Sequence, residues 1–283
     1  MWTSILSMKI KSLLIYLVFL LSCDSSSDFS FGGNVSGDVQ MSGESSGTGI
    51  GGSMARFTIR DDYLYTVDSY DLKTFDIKDK VNPKITSEVN LGWGIETIFP
   101  YGENLFIGAQ SGMHIYGLEN KEEPNYISSY EHVTSCDPVV VQDNYAYVTL
   151  RGGSECMGFN NQLDIVDISN LNNPRLFKTY EMINPHGLGV DGNCLFISEG
   201  EYGIKMYDKT DLDDLRLIKH FDDIGSLDVI PFQGVLMVIG SDGFHQYNYD
   251  CENAEMSYIS TIPIERMWSV SYTHLRAHET ARH

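Results

Sequence analysis

One spacing constrains this chain more than any other feature. Five short apolar runs recur along it: Leu64-Tyr-Thr-Val, Leu105-Phe-Ile-Gly, Ala146-Tyr-Val-Thr, Leu195-Phe-Ile-Ser and Leu236-Met-Val-Ile. Their first residues lie 41, 41, 49 and 41 positions apart. Each run follows an alternating stretch and a pair of turn-forming residues: Asp61-Asp62, Gly102-Glu103, Asp143-Asn144, Asp191-Gly192 and Gln233-Gly234. Such pairs tolerate tight hairpins. A second turn, such as Gln110-Ser-Gly112 or Ser241-Asp-Gly243, leads into a third strand. A polar loop carrying Pro83, Pro124 or Pro174 then precedes a weaker fourth strand. A period of about 40–50 residues built from short strands is the signature of propeller blades. The expected fold is therefore all-β, a β-propeller of four-stranded blades with five present, at about 54–94, 95–135, 136–184, 185–225 and 226–267. A β-sandwich is the alternative, but it accounts for short strands without explaining self-similarity.

The start of the chain carries an address. Lys9 and Lys11 precede nine uninterrupted apolar or aromatic residues at positions 13–21, followed by Ser22-Cys23. That run is about half of the roughly 20 residues a spanning helix needs, so a signal peptide over residues 1–22 is the expectation. Leu20-Leu21-Ser22-Cys23 resembles the lipobox of bacterial lipoproteins, which implies acylation of Cys23 and an anchor in the envelope, at the outer membrane. A plain secretory signal with a chance cysteine is the competing reading. From Asp24 to Ser53, 17 of 30 residues are Gly or Ser. Such a composition buries too little apolar surface to offset chain entropy, so residues 23–53 read as a lipidated cysteine and a flexible tether.

The formal net charge is −20. Nucleic acid is excluded as a partner on that balance, because phosphate binding demands clustered Lys and Arg. Cations, sugars and basic proteins remain compatible.

Gln162-Leu-Asp-Ile-Val-Asp-Ile-Ser-Asn, followed by Asn173-Pro174, resembles the LVIVD-repeat family of bacterial and archaeal surface proteins. Leu72-Lys-Thr-Phe-Asp-Ile-Lys with Asn82-Pro83 is a looser copy. The resemblance implies a propeller-type repeat and a cell-surface setting; it carries no agreed activity and no catalytic residues to transfer.

The end of the chain breaks the pattern. Over eleven consecutive residues, Val270-Ser-Tyr-Thr-His-Leu-Arg-Ala-His-Glu-Thr280 is similar to the translation of a transposase-type sequencing adapter. Residues 269–283 are accordingly expected to be a non-native tail. The rival reading, a metal-binding helix through His274, His278 and His283, is set aside. Met267-Trp268 falls where a sixth unit would begin, so a ring of about six to eight blades is expected, interrupted after five.

Candidate sites follow from projecting the repeat. Glu96, Asp137 and His186 occupy equivalent positions in consecutive units, with Asp228 and Arg56 one residue further on. Equivalent positions would line one mouth of the channel, as a ligand-binding rim for a cation or polar group or as solvated side chains. Besides Cys23, four cysteines remain: Cys136, Cys156, Cys194 and Cys251. Cys136–Cys156 is the preferred disulfide, because a hairpin brings both to one end. Cys194 and Cys251 are left open between a disulfide and a buried thiol. Metal binding by cysteines lacks a Cys-x-x-Cys pair, and no metal or cofactor is expected. Trp93, Tyr101, Tyr202 and Trp268 are candidate sugar-stacking surfaces or blade core. Asp208, Asp211, Asp213 and Asp214 lack the glycine and closing glutamate of a calcium loop and read as a solvated turn.

No nucleophile–base pattern stands out, so no catalytic residue is assigned. The expected function is a membrane-anchored binding or interaction scaffold for an unknown protein or polysaccharide ligand. The alternative is an envelope enzyme acting on glycans or other polymers through Glu96, Asp137 and His186, and a third possibility is a purely structural role in a larger assembly.

Overall fold

The computed structural model describes residues 52–132, 138–153 and 160–264. Among them are twenty strands and no helix. The first blade holds β1 (Phe57–Arg60), β2 (Tyr63–Val67), β3 (Asp71–Asp76) and β4 (Lys84–Asn90). The second holds β5 (Ile95–Tyr101), β6 (Asn104–Ala109), β7 (Gly112–Gly117) and β8 (Asn125–Glu131). The third holds β9 (Val139–Gln142), β10 (Tyr145–Leu150), β11 (Gln162–Asp167) and β12 (Arg175–Glu181). The fourth holds β13 (Leu188–Asp191), β14 (Cys194–Ser198), β15 (Ile204–Asp208) and β16 (Arg216–Phe221). The fifth holds β17 (Asp228–Phe232), β18 (Val235–Ile239), β19 (Gly243–Asp250) and β20 (Glu255–Pro263). Each sheet pairs its strands in chain order, antiparallel throughout.

The repeat is visible in backbone detail. The residue three before the aligned Leu or Ala has positive φ in every blade: Asp61, Gly102, Asp143, Gly192 and Gln233, at 51° to 55°. In the fourth blade the two-residue turn is Gly192-Asn193, since Asp191 pairs with Cys194. The turn expected at Asp191-Gly192 is thus moved by one residue, which puts glycine where the left-handed conformation is required. A register shift between third and fourth strands also recurs, between Thr74 and Phe75 and at the matching place in the other four blades. A bulge there bends the outer strand and increases twist.

Alternation along the second strand gives each blade two apolar faces. Leu105, Ala146, Leu195 and Leu236 are fully buried against the preceding blade, and the next residues, Tyr65, Phe106, Tyr147 and Phe196, are buried against the following one. The core therefore lies between sheets. Each such Leu or Phe side chain contributes roughly 1.5–3 kcal/mol on burial. The innermost strands touch in the order β1, β5, β9, β13, β17.

The motif that links strands three and four has a local job. The Asp76, Asp167 and Asp208 carboxylates each accept a hydrogen bond from the backbone N–H two residues on, at Lys78, Ser169 and Thr210. The loops between third and fourth strands of the second, third and fourth blades each present one backbone carbonyl to the preceding blade: Tyr65 donates to Lys121 O, Ser128 to Leu171 O and Tyr180 to Leu212 O. The three carbonyls stand three residues before Pro124, Pro174 and Leu215.

Candidate functional site

The loops between blades and the loops between second and third strands meet at one end. Gly94 and Ile95 both donate to Ser69 O, Gln110 N to Gly94 O, Gly187 N to Leu227 O, and Gly200 bridges to Ser226. This end is the mouth to which the rim residues were projected.

Asp228 lies beneath the rim, 4% exposed. Its Oδ1 accepts from Ser53 Oγ at 2.8 Å and from Val229 N at 2.9 Å, while Met54 N approaches Oδ2 at 3.4 Å. Ser53 in turn accepts from Leu188 N at 2.8 Å. The lead-in to the first blade is thereby clasped to the inner strands of the fourth and fifth. Close approach explains the neighbouring glycines, since a Cβ at Gly187 or Gly52 would run into the Asp228 carboxylate. Burial pushes the Asp228 carboxyl up to about 6, against the lowering effect of the Ser53, Val229 and Met54 hydrogen bonds. Ser53, grouped by composition with the tether, belongs to the folded body.

His186 is half-buried beside Asn184, whose Nδ2 lies 3.2 Å from His186 Nε2. Burial holds its imidazole down to about 4, with Arg151 acting in the same direction and Glu199 opposing. Glu199 is fully buried and pairs with Lys205 Nζ at 2.9 Å. The same carboxylate accepts from the backbone of Ile183 and Asn184. The buried carboxylate is thus satisfied by backbone donors as well as by the ammonium, which offsets part of the cost of taking its charge out of water. Sequence reasoning missed it, although a signal existed. Lys205 sits between Ile204 and Met206 in a strand buried on both faces, so its ammonium required a buried acid within reach of the hairpin.

Glu96 is half-buried and accepts from Gln110 Nε2 at 3.0 Å; Arg56 is exposed. No hydrogen bond or ion pair among the described residues joins Glu96, His186 and Asp228 to one another, and no group of three or more His, Cys, Asp or Glu could hold a metal there. Asp137, together with Cys23, Cys136, Cys156, Trp268 and residues 265–283, lies outside the described residues.

Cys194 and Cys251 form a disulfide with Cα atoms 6.1 Å apart. It joins the first residue of β14 to the turn after β19, and so staples the fourth blade to the fifth. Tyr249 reinforces the seam by donating to Asp191 and by stacking edge-on against Phe196, with centroids 4.9 Å apart.

Of the aromatic candidates, Trp93 and Tyr202 stand exposed on mouth-side loops, Trp93 between the positive-φ residues Gly92 and Gly94. Tyr101 packs against the core, its hydroxyl accepting from Asp143 N. In the acidic turn, Asp208 accepts from Thr210 and Arg216, which hold its carboxyl at about 2, and Asp211 accepts from Asp213 N.

Four-stranded antiparallel blades packed face on face, with inner strands in succession and loops gathered at one mouth, define a β-propeller. The structure is similar to that of a protein from Lactobacillus plantarum, with a TM-score of 0.59 and 14% identity over 73% of this chain and 70% of that one. It is also similar to the computationally designed Ika8 protein, with a TM-score of 0.55 and 10% identity over 71% and 59%. A chain of the mitotic checkpoint complex gives a TM-score of 0.52 and 12% identity over 71% and 60%. At these identities the likeness is one of fold. No curated protein matches the sequence significantly. Residues 135–182 match the LVIVD repeat, so the third blade carries that motif within a chain whose fold is a β-propeller.

Proposed function

We propose that the chain is a lipid-anchored scaffold of the bacterial envelope or cell surface, held through Cys23 at the outer membrane, whose propeller mouth binds a protein or polysaccharide. The supporting observation is the fate of the charges at that mouth. Asp228 is committed to Ser53, Glu199 to Lys205, and Glu96 to Gln110. An imidazole held near 4, like that of His186, is a poor proton shuttle close to neutrality. Trp93 and Tyr202 remain as exposed aromatic surface on the same face, the kind of surface on which a sugar ring or partner side chain stacks.

Acyl-label incorporation and fractionation test the anchor. The wild-type chain should carry label in the membrane fraction and Cys23→Ser should be unlabelled and soluble; an unlabelled wild type would refute anchoring. Binding to isolated envelope polysaccharide or envelope protein should weaken roughly three- to tenfold in Trp93→Ala or Tyr202→Ala. Polymer turnover that disappears in Glu96→Gln or His186→Asn would replace the binding reading with an enzymatic one.

A further inference from the structure

Among the described residues, each of the two apolar faces of the repeat is left uncovered at one blade: the rear face at the first and the forward face at the fifth. Phe57 occupies the position held by Ile98, Val139, Leu188 and Val229 in the other blades; those four are at most 1% exposed, whereas Phe57 is 63% exposed. Its neighbour across the same face, Leu64, is half-buried where its four counterparts are fully buried. Ile59, which pairs with Leu64, is likewise exposed. The forward face shows the mirror image. Met237 is only partly buried at the position of Tyr65, Phe106, Tyr147 and Phe196, and Ile239 and Ile262 beside it are exposed. The carbonyl of Lys80, at the loop position where Lys121, Leu171 and Leu212 accept a side-chain hydroxyl, receives none from the described residues. The inner-strand contacts that run from β1 to β17 are not matched by a comparable contact between β17 and β1.

We infer that the rear face of the first blade and the forward face of the fifth are the two walls of an unfilled position in the ring, and that further blade of the same repeat occupies it. The four interfaces inside the chain show what each wall is built to receive: an aromatic from the second strand on one side, an aliphatic from the next blade on the other. One blade carries both faces and so matches both walls together. The Ser53–Asp228 clasp holds the walls to a common inner edge. A second copy docked fifth blade to first would cover one wall of each molecule and leave the others open, a heterologous contact that propagates.

The test compares the 283-residue chain with versions carrying one, two or three copies of residues 185–225 inserted after Ile264. In at least one extended version, exchange of the Phe57–Arg60 and Val235–Ile239 amides should slow about tenfold or more, and hydrophobic-dye binding should fall. No slowing in any of the three extended versions overturns the inference. So does concentration-dependent association of the original chain that protects these amides, which would make a second copy the occupant. Phe57→Lys in the original chain provides an arm that needs no added blade: it should leave the melting temperature nearly unchanged, whereas Val139→Lys should lower it by many degrees. Equal losses would show that the wall is already covered.

Discussion

Ser53 and Asp228 lie 175 residues apart in the chain, yet share a buried hydrogen bond of 2.8 Å. The bond fixes where the first blade enters the ring. Ser53→Ala removes the acceptor of Leu188 N and one donor to Asp228, leaving both groups buried. The expected loss is about 1–3 kcal/mol in thermal or denaturant unfolding. Gly187→Ala should cost more, because its Cβ collides with the same carboxylate. Wild-type stability in both variants would mean that the clasp does not form.

Two groups at the mouth should give opposite pH slopes in one window. Asp228, raised to about 6, favours its protonated form in the fold. Its contribution is fully present below the ordinary carboxylate value and lost as pH rises through about 6. His186, lowered to about 4, favours its neutral form; its contribution is present above the ordinary imidazole value and lost as pH falls towards 4. The stability of Asp228→Asn relative to wild type should therefore increase between pH 4 and 7, by on the order of 2–3 kcal/mol. That of His186→Gln should increase in the other direction. Denaturant titrations at several pH values decide this, and slopes of the same sign would contradict it.

Reducing the disulfide should loosen the fifth blade first. Cys194 and Cys251 close a loop of 57 residues, for which the chain-entropy account gives about 4 kcal/mol. Cys251→Ser should lower the melting temperature and speed amide exchange in β17–β20 while β9–β12 stay protected. Uniform loosening would show that the staple does not act on one seam.

What the sequence made legible was periodic and local. Leu64, Leu105, Ala146, Leu195 and Leu236 could be aligned because strand alternation and turn residues act over a few positions, and each aligned residue starts or enters the second strand of a blade. Contacts between blades were less legible. Nothing in the composition of Gly52-Ser53 distinguishes it from the segment before it; only the ring brings Ser53 to Asp228 and Leu188. Cys194 opens a core strand, where a buried thiol competes with a disulfide, and the choice is made by the approach of the Cys251 turn in the next blade. Asp228 aligned with rim residues within one position, yet that one position takes it beneath the surface.

The repeat itself is tested by four matched substitutions, Leu64, Leu105, Leu195 and Leu236 each to Ala, compared by denaturant unfolding. Three of these side chains are fully buried between blades and should cost about 2–5 kcal/mol apiece. Leu64, half-buried on an open face, should cost clearly less. A Leu64 loss as large as the others, or losses at Leu105, Leu195 and Leu236 that bear no relation to one another, would mean that these positions do not share one place in a repeated blade.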